Sequence, residues 1–388
     1  MYKKVFILSL LFCGLYAQSV SDFQKEQMQG FNEYKKDQED GFKKYREAQM
    51  KEYNLYKKEI GAFWDDVKLS TQKTWVGYTK DKKTRTDVDF SKEIITVETI
   101  ATSPEEAQQK LQMALAKVIT IDTKTVQESD PLEQRLAKIK KPDGVVSSDV
   151  KAEPILSTVI FQKSPTQKSV RDYVHKNVNP TKINVVKSNK LKHANVYSVH
   201  IKMPKDTMIK RSQVYVDTIK KHAQKQKLPL PLVFAIMHTE SNFNPRARSH
   251  VPAYGLMQIV PKTAGVDTYN FLYHKKKLVT GSYLYDSTNN ITMGTAYLHI
   301  LYYRYLKKIK NPDSRLYCTI AAYNTGAGNI AWAFTKTYNM AKAAPLINAM
   351  TPTQVYNKLL KDLRWDEPKE YLKRVTRRMS AYKKVYGT

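Results

Sequence analysis

PLVFAIMHTESNFNPRARSHVPAYGLMQIVPKTA, residues 231–264, is the stretch whose reading decides the fold. Up to its end it holds one carboxylate, Glu240, in an otherwise apolar setting, with Phe234, Ala235, Ile236 and Met237 just before it. Apolar residues in this arrangement predict a helix running from Leu232, which carries Glu240 about one turn beyond Ile236, near the C-terminal end. A carboxyl held against such a surface is costly to ionise, so its pKa should rise toward the range in which it can donate a proton. Taken alone, the same feature also fits a surface Glu that closes a core helix.

The residues that follow favour the first reading. Ser241, Asn242, Asn244 and Pro245 break the helix, and Ser249 lies nine residues beyond Glu240. Gly255-Leu256-Met257-Gln258-Ile259 then supplies a close-packing backbone, an apolar wall and one amide. In the order Glu240, Ser241, Phe243, Pro245, Ala247, Ser249, Gly255, Leu256, Met257, Gln258, the chain resembles the lytic transglycosylases, lysozyme-like enzymes that cleave peptidoglycan. Further elements of that family occur downstream in the same order: Asn290-Ile291 with Gly294 and Tyr297-Leu298, then Ala322-Tyr323-Asn324 with Gly326, then Tyr371. Leu372 follows Tyr371 where Val is usual, a mild change at a packing position.

A conventional glycosidase pairs its acid with a second carboxylate roughly 5 to 9.5 Å away. Asp267 and Asp286 are the nearest acidic residues after Glu240, and neither sits in a matching motif. With one carboxylate, the resemblance implies a substrate-assisted route in which Glu240 is the sole general acid and base. It protonates the glycosidic oxygen, the N-acetyl group of MurNAc stabilises the positive sugar, and Glu240 then takes the proton of the C6 hydroxyl. Attack by that hydroxyl excludes water and leaves a 1,6-anhydro end. No cofactor and no metal is implied. By motif position Ser249 binds the N-acetyl or Glu240 region, Gln258 offers a donor and an acceptor to glycan, and Met257 and Tyr323 line the cleft with Asn324 near its floor. Tyr371 hydrogen-bonds Glu240 or orients the acetamido group. Each also has a purely structural reading, as wall residue or turn former. His238, two residues from Glu240 on a helix, points elsewhere. A hydrolase of the same fold and a non-catalytic wall-binding protein are the alternatives.

The expected fold class is α+β: an N-terminal α+β accessory domain with a long aromatic-striped helix, then a mainly α lysozyme-like (goose-type) catalytic domain. Residues 1–17 read as a signal peptide, with Lys3 and Lys4 before an apolar run and Ala17 at the cleavage point. The run is too short to span a membrane. Cys13 competes as a lipidation site, although Phe12 stands where a small residue is normal. After cleavage Cys318 is the only cysteine left, so no intrachain disulfide can form. Within the accessory domain, 18–205, two apolar series recur every eleven residues: Val20, Phe31, Phe42, Tyr53, Trp64, Trp75, and Phe23, Tyr34, Tyr45, Tyr56, Val67, Tyr78. Eleven residues are close to three helical turns, so both series predict one stripe on a long helix. The stripe either packs on a core or on a second copy, or stacks on sugar rings. Alternation then predicts a hairpin of Val88 and Phe90 with Ile95, Val97 and Thr99 around Ser91 to Glu93. Ser103-Pro104-Glu105-Glu106 starts a helix reaching about Val118, and Ser157 to Phe161 and Ile183 to Met203 read as strands. His175, His193 and His200 lack metal-ligand spacing.

The catalytic domain, 206–388, reads as helical throughout, with helices over Asn290 to Lys307 and Ser314 to Tyr323 and a stripe of Leu298, Leu301, Tyr302 and Tyr305. The order of segments is similar to a membrane-bound branch of the lytic transglycosylases. A formal net charge of +29, from 65 Lys+Arg against 36 Asp+Glu, would draw the chain to anionic polymers or membrane surfaces. Nucleic acid is not expected as a partner, because the Lys residues are spread along an exported chain. Peptidoglycan strands are the expected substrate, with membrane-surface or cell-wall-machinery contacts through the basic N-terminal domain. The expected location is the periplasm, in association with the outer membrane.

Overall fold

The computed structural model describes residues 40–161, 163–250 and 252–387. The signal segment, Cys13 and the first positions of the eleven-residue series lie outside them. In chain order the N-terminal half runs α1 (40–61), β1 (Thr74–Tyr78), β2 (Thr84–Asp89), β3 (Ile94–Ala101), α2 (Pro104–Thr120), α3 (Thr123–Ser129), α4 (Pro131–Ala137), α5 (Ser157–Ile160), α6 (Gln167–Asn177), β4 (Asn184–Lys187) and β5 (Asn195–Lys202). The strands form one antiparallel sheet in the order β1-β2-β3-β5-β4. α2 lies across β2, β3 and β5 and buries Leu111, Leu115, Val118 and Ile119 against Val88, Ile95, Val97 and Val199.

Local signals placed most of these elements. The hairpin pairs Val88 with Ile95 as the alternation requires. Ser103 caps α2 by accepting from the Glu106 amide, and the Glu106 carboxylate closes the box one residue early, on the Thr102 amide at 3.1 Å.

Three expectations need correction. The eleven-residue stripe does not stay helical. α1 ends at Gly61, and Trp75 and Tyr78 stand on β1, paired with Val88 and Arg85. Beyond Gly61 the poor helix formers Ser70, Thr71, Thr74 and Gly77 enter, and β2 offers a complete ladder of backbone partners. The series still marks burial: Tyr45, Tyr56, Trp64, Trp75 and Tyr78 are all core residues, so the stripe packs inward. Ser157 to Phe161 is not a strand: Ser157–Ile160 is the short helix α5, closed by the Phe161 amide on the Ser157 carbonyl, an outcome that so short a run of Val159, Ile160 and Phe161 leaves open. Tyr305 is exposed, because the helical hydrogen bonds widen to a π turn over Ile300–Tyr305, with Leu306 N on Leu301 O at 2.9 Å. The extra residue in that turn rotates Leu306, instead of Tyr305, into the core.

The C-terminal half is helical: α7 (Thr207–Val214), α8 (Val216–Gln226), α9 (Leu230–Ser241), α10 (Val266–Tyr273), α11 (Gly281–Tyr285), α12 (Ser287–His299), α13 (Pro312–Thr325), α14 (Ala327–Thr335), α15 (Met340–Asn348), α16 (Pro352–Asp362) and α17 (Asp366–Tyr386). α9 is its axis. Leu232 to Met237 are all fully buried, with α8 and α17 against it, which is the pattern of a helix apolar on every face.

Candidate active site

Glu240 owes its position to the way α9 stops. Asn242 and Phe243 adopt left-handed backbone at φ 53° and 60°, so the chain turns out of the helix directly after the carboxylate. Ser241 ties this end down: its Oγ donates to the Leu256 carbonyl at 2.7 Å and to Met237 O at 3.1 Å. Phe243 is anchored on the Tyr215 ring.

The Gly255–Gln258 turn is held by Asn290. The Asn290 amide donates to Tyr254 O and Leu284 O, both at 2.8 Å, and its Oδ1 accepts from the Met257 amide at 2.7 Å. Gly255 has φ +74°, and a Cβ there would stand 2.3 Å from Asn290 Nδ2 and 2.4 Å from Leu284 O. Met257 in turn sits on bare Gly294 backbone, where a Cβ would come 2.2 Å from its sulfur.

Glu240 is 8% exposed, and its Oε1 accepts a 2.6 Å hydrogen bond from the Tyr371 hydroxyl on α17. Burial pushes its pKa up. The Tyr371 bond and the cations Lys73 and Arg374 pull it back, while the Glu367 carboxylate adds to the rise. Burial beside Glu240 also holds the Tyr371 hydroxyl well above its ordinary pKa, so it stays a donor. A carboxyl in this setting keeps its proton nearer to neutral pH than a solvated one, and can give it up and take one back.

The remaining residues singled out from sequence divide in two. Tyr323 is buried, packs at a tilt against Tyr297, and donates to Met257 O at 2.8 Å, so it braces the turn. Gln258 is 7% exposed in left-handed backbone; its Nε2 donates to Gly255 O at 3.0 Å, and its Oε1 is buried without a protein donor. Asn324 Nδ2 donates to Glu367 Oε1 at 2.8 Å. Met257 is wholly buried, which makes its side chain core as well as wall. On its loop, Ser249 Oγ accepts from the Ala253 amide at 3.0 Å. His238 points away from Glu240, toward the Tyr382 hydroxyl. Asp286 caps α12, and Asp267 accepts from the exposed Tyr305. Sequence reasoning missed four charged neighbours of Glu240 or its helix turn: Lys73, Glu367, Arg374 and Arg378. The last three lie one, one and two turns from Tyr371 on α17, a helical spacing that would have found them. No local signal points to Lys73.

Tyr371→Phe is expected to lower turnover about tenfold to a hundredfold, the value of one hydrogen bond to a charged group at roughly 1.5 to 3 kcal/mol. Because the lost bond favoured the carboxylate, the alkaline limb of the pH–rate profile should move to higher pH. An unmoved limb would show that Tyr371 only fills space.

The transglycosylase SLT domain family matches residues 217–345, and the N-terminal domain family of membrane-bound lytic murein transglycosylase C matches residues 38–134. Membrane-bound lytic murein transglycosylase C of Klebsiella pneumoniae subsp. pneumoniae is 32% identical over 330 residues, 83% of this chain and 85% of the relative. The protein of the same name in Serratia proteamaculans is 32% identical over 327 residues, 82% of this chain and 85% of that one. The 70 kDa soluble lytic transglycosylase of Escherichia coli aligns at a TM-score of 0.36 and 25% identity, over 47% of this chain and 26% of its own.

Proposed function

The chain belongs to the family of membrane-bound lytic murein transglycosylase C, and from that premise we propose that it cleaves the MurNAc-(β1,4)-GlcNAc bond of peptidoglycan with Glu240 as sole general acid and base. The observation that carries this reading is the buried Glu240 carboxyl held at 2.6 Å by Tyr371. Glu240 gives its proton to the leaving glycosidic oxygen. The substrate's N-acetyl group supports the cationic sugar, Glu240 takes the C6 hydroxyl proton, and O6 closes on C1 to form the 1,6-anhydro end. Tyr371 orients the carboxyl, and the unpaired Gln258 Oε1 is free to accept from a glycan hydroxyl or amide. Met257 and Tyr323 shape the wall, Asn324 steadies Glu367, and Ser249 serves the N-acetyl side through its loop. Glu367 is exposed and bound to Asn324, an arrangement that favours a solvated bystander over a second catalytic group.

Residues 18–205 act as the accessory domain and 206–388 as the catalytic domain of an exported, periplasmic enzyme. The basic N-terminal part meets the outer-membrane surface or other anionic envelope components. Among the described residues no helix is long and apolar enough to cross a membrane.

Mass spectrometry of soluble products from purified sacculi tests the reaction. Anhydro-MurNAc ends, each lighter than a reducing end by one water, are the expected outcome. Reducing ends would replace this reading with a hydrolase.

A further inference from the structure

The loop that follows Glu240 is bound to the N-terminal half of the chain. Asn244 Nδ2 donates to Gln72 O at 3.5 Å and Thr74 O at 3.4 Å, the Arg248 amide donates to Thr71 O at 3.2 Å, and Asn242 Nδ2 reaches Phe90 O at 3.4 Å. Phe90 N in turn donates to Lys73 O at 2.9 Å, so the backbone of Lys73 is fixed from the sheet side too. From that seat the half-buried Lys73 side chain crosses to α9, where Nζ donates to Thr239 O and, at 3.5 Å, to His238 O. These are carbonyls of the final helical turn, the end of a helix that carries partial negative charge; His238 O also accepts from the Asn242 amide at 3.1 Å. Arg378 of α17 closes on the same turn, donating to Thr239 Oγ1 at 2.9 Å.

We propose that Lys73, supplied by the N-terminal region, is a positioning residue for catalysis: its ammonium holds the last turn of the Glu240 helix and stabilises the Glu240 carboxylate in the half-cycle in which it acts as base. The inference rests on the general acid and base role proposed for Glu240. In the first half-cycle Glu240 must be neutral to protonate the leaving oxygen, and in the second it must be anionic to take the C6 proton. Burial alone favours the neutral form and would slow the second half. A cation placed beside the helix end supports the anionic form. Lys73 lies outside residues 217–345 and within residues 38–134, so this function falls to the N-terminal family match. Burial lowers the pKa of Lys73 itself, and the facing Glu240 charge works against that fall. The other groups facing this pair are Tyr323 on α13 and Glu367, Tyr371, Arg374 and Arg378 on α17; His238, on α9 itself, points away.

The full-length mature enzyme carrying Lys73→Met or Lys73→Arg tests this, with pH–rate profiles on purified sacculi and thermal melting alongside. In the wild type the alkaline limb belongs to the Glu240 and Lys73 pair together. Lys73→Met should lower the peak rate about tenfold and move that limb to higher pH, whereas Lys73→Arg should restore the rate and leave the limb at or below its wild-type position. A Lys73→Met limb that stays in place, whatever the rate or melting temperature, would overturn the proposal and leave Lys73 a structural strut. Glu240→Gln in parallel separates the two readings: if it still releases glycan fragments, the role of Glu240 fails first.

Discussion

Glu240→Gln should reduce release of glycan fragments from purified sacculi by about 10³- to 10⁴-fold, the upper part of the range for general acid–base catalysis, because one side chain serves both proton transfers. Gln keeps the shape of Glu and can still accept from the Tyr371 hydroxyl that bonds Oε1 at 2.6 Å, so the pocket should persist. The variant loses only the proton it would give and take. Stability should be unchanged or higher, since Gln escapes the cost of charging a side chain that is 8% exposed. Sacculus binding with a wild-type melting temperature and no release is the expected combination. Activity within tenfold of wild type would sink the proposed mechanism, because no buried second carboxylate faces Glu240 among the described residues to take over.

Gly255→Ala should be the most damaging single methyl in the C-terminal half. The position has φ +74°, where a side chain costs about 1 to 2 kcal/mol. A Cβ would also meet Asn290 Nδ2 at 2.3 Å and Leu284 O at 2.4 Å. Neither neighbour is the loose end of a long chain: one is backbone, and the other is an amide with every polar atom in use. Overpacking of this kind adds about 1 to 3 kcal/mol, so a loss of roughly 2 to 5 kcal/mol is expected in denaturant unfolding. Activity should fall further than stability predicts, since the displaced turn carries Gln258. A variant that unfolds within about 0.5 kcal/mol of wild type would mean the turn relaxes freely and Asn290 is no clamp.

How much was legible from sequence follows the range of each interaction. The end of α9, the capped start of α2 and the β2–β3 hairpin were all readable, because caps, left-handed stops and alternation are settled by residues within a turn of one another. The Tyr371 contact was readable by a different route, from the resemblance to a family, since 131 residues separate it from Glu240. β1 was not readable: its aromatic residues continue the spacing of α1, and only the ladder with β2 makes them a strand. The π turn over Ile300–Tyr305 escaped because one extra residue per turn leaves composition unchanged while moving the buried face. Asn290 was visible as a motif position, but its three bonds to the Gly255–Gln258 turn were not.

The sequence by itself determined that a helix ends on a carboxyl set in apolar surroundings, because those residues are neighbours along the chain. Only the tertiary structure decided which charges surround that carboxyl. Lys73 reaches Thr239 across 166 residues, and the energy of a charge depends on distance and burial in space, which sequence separation does not encode.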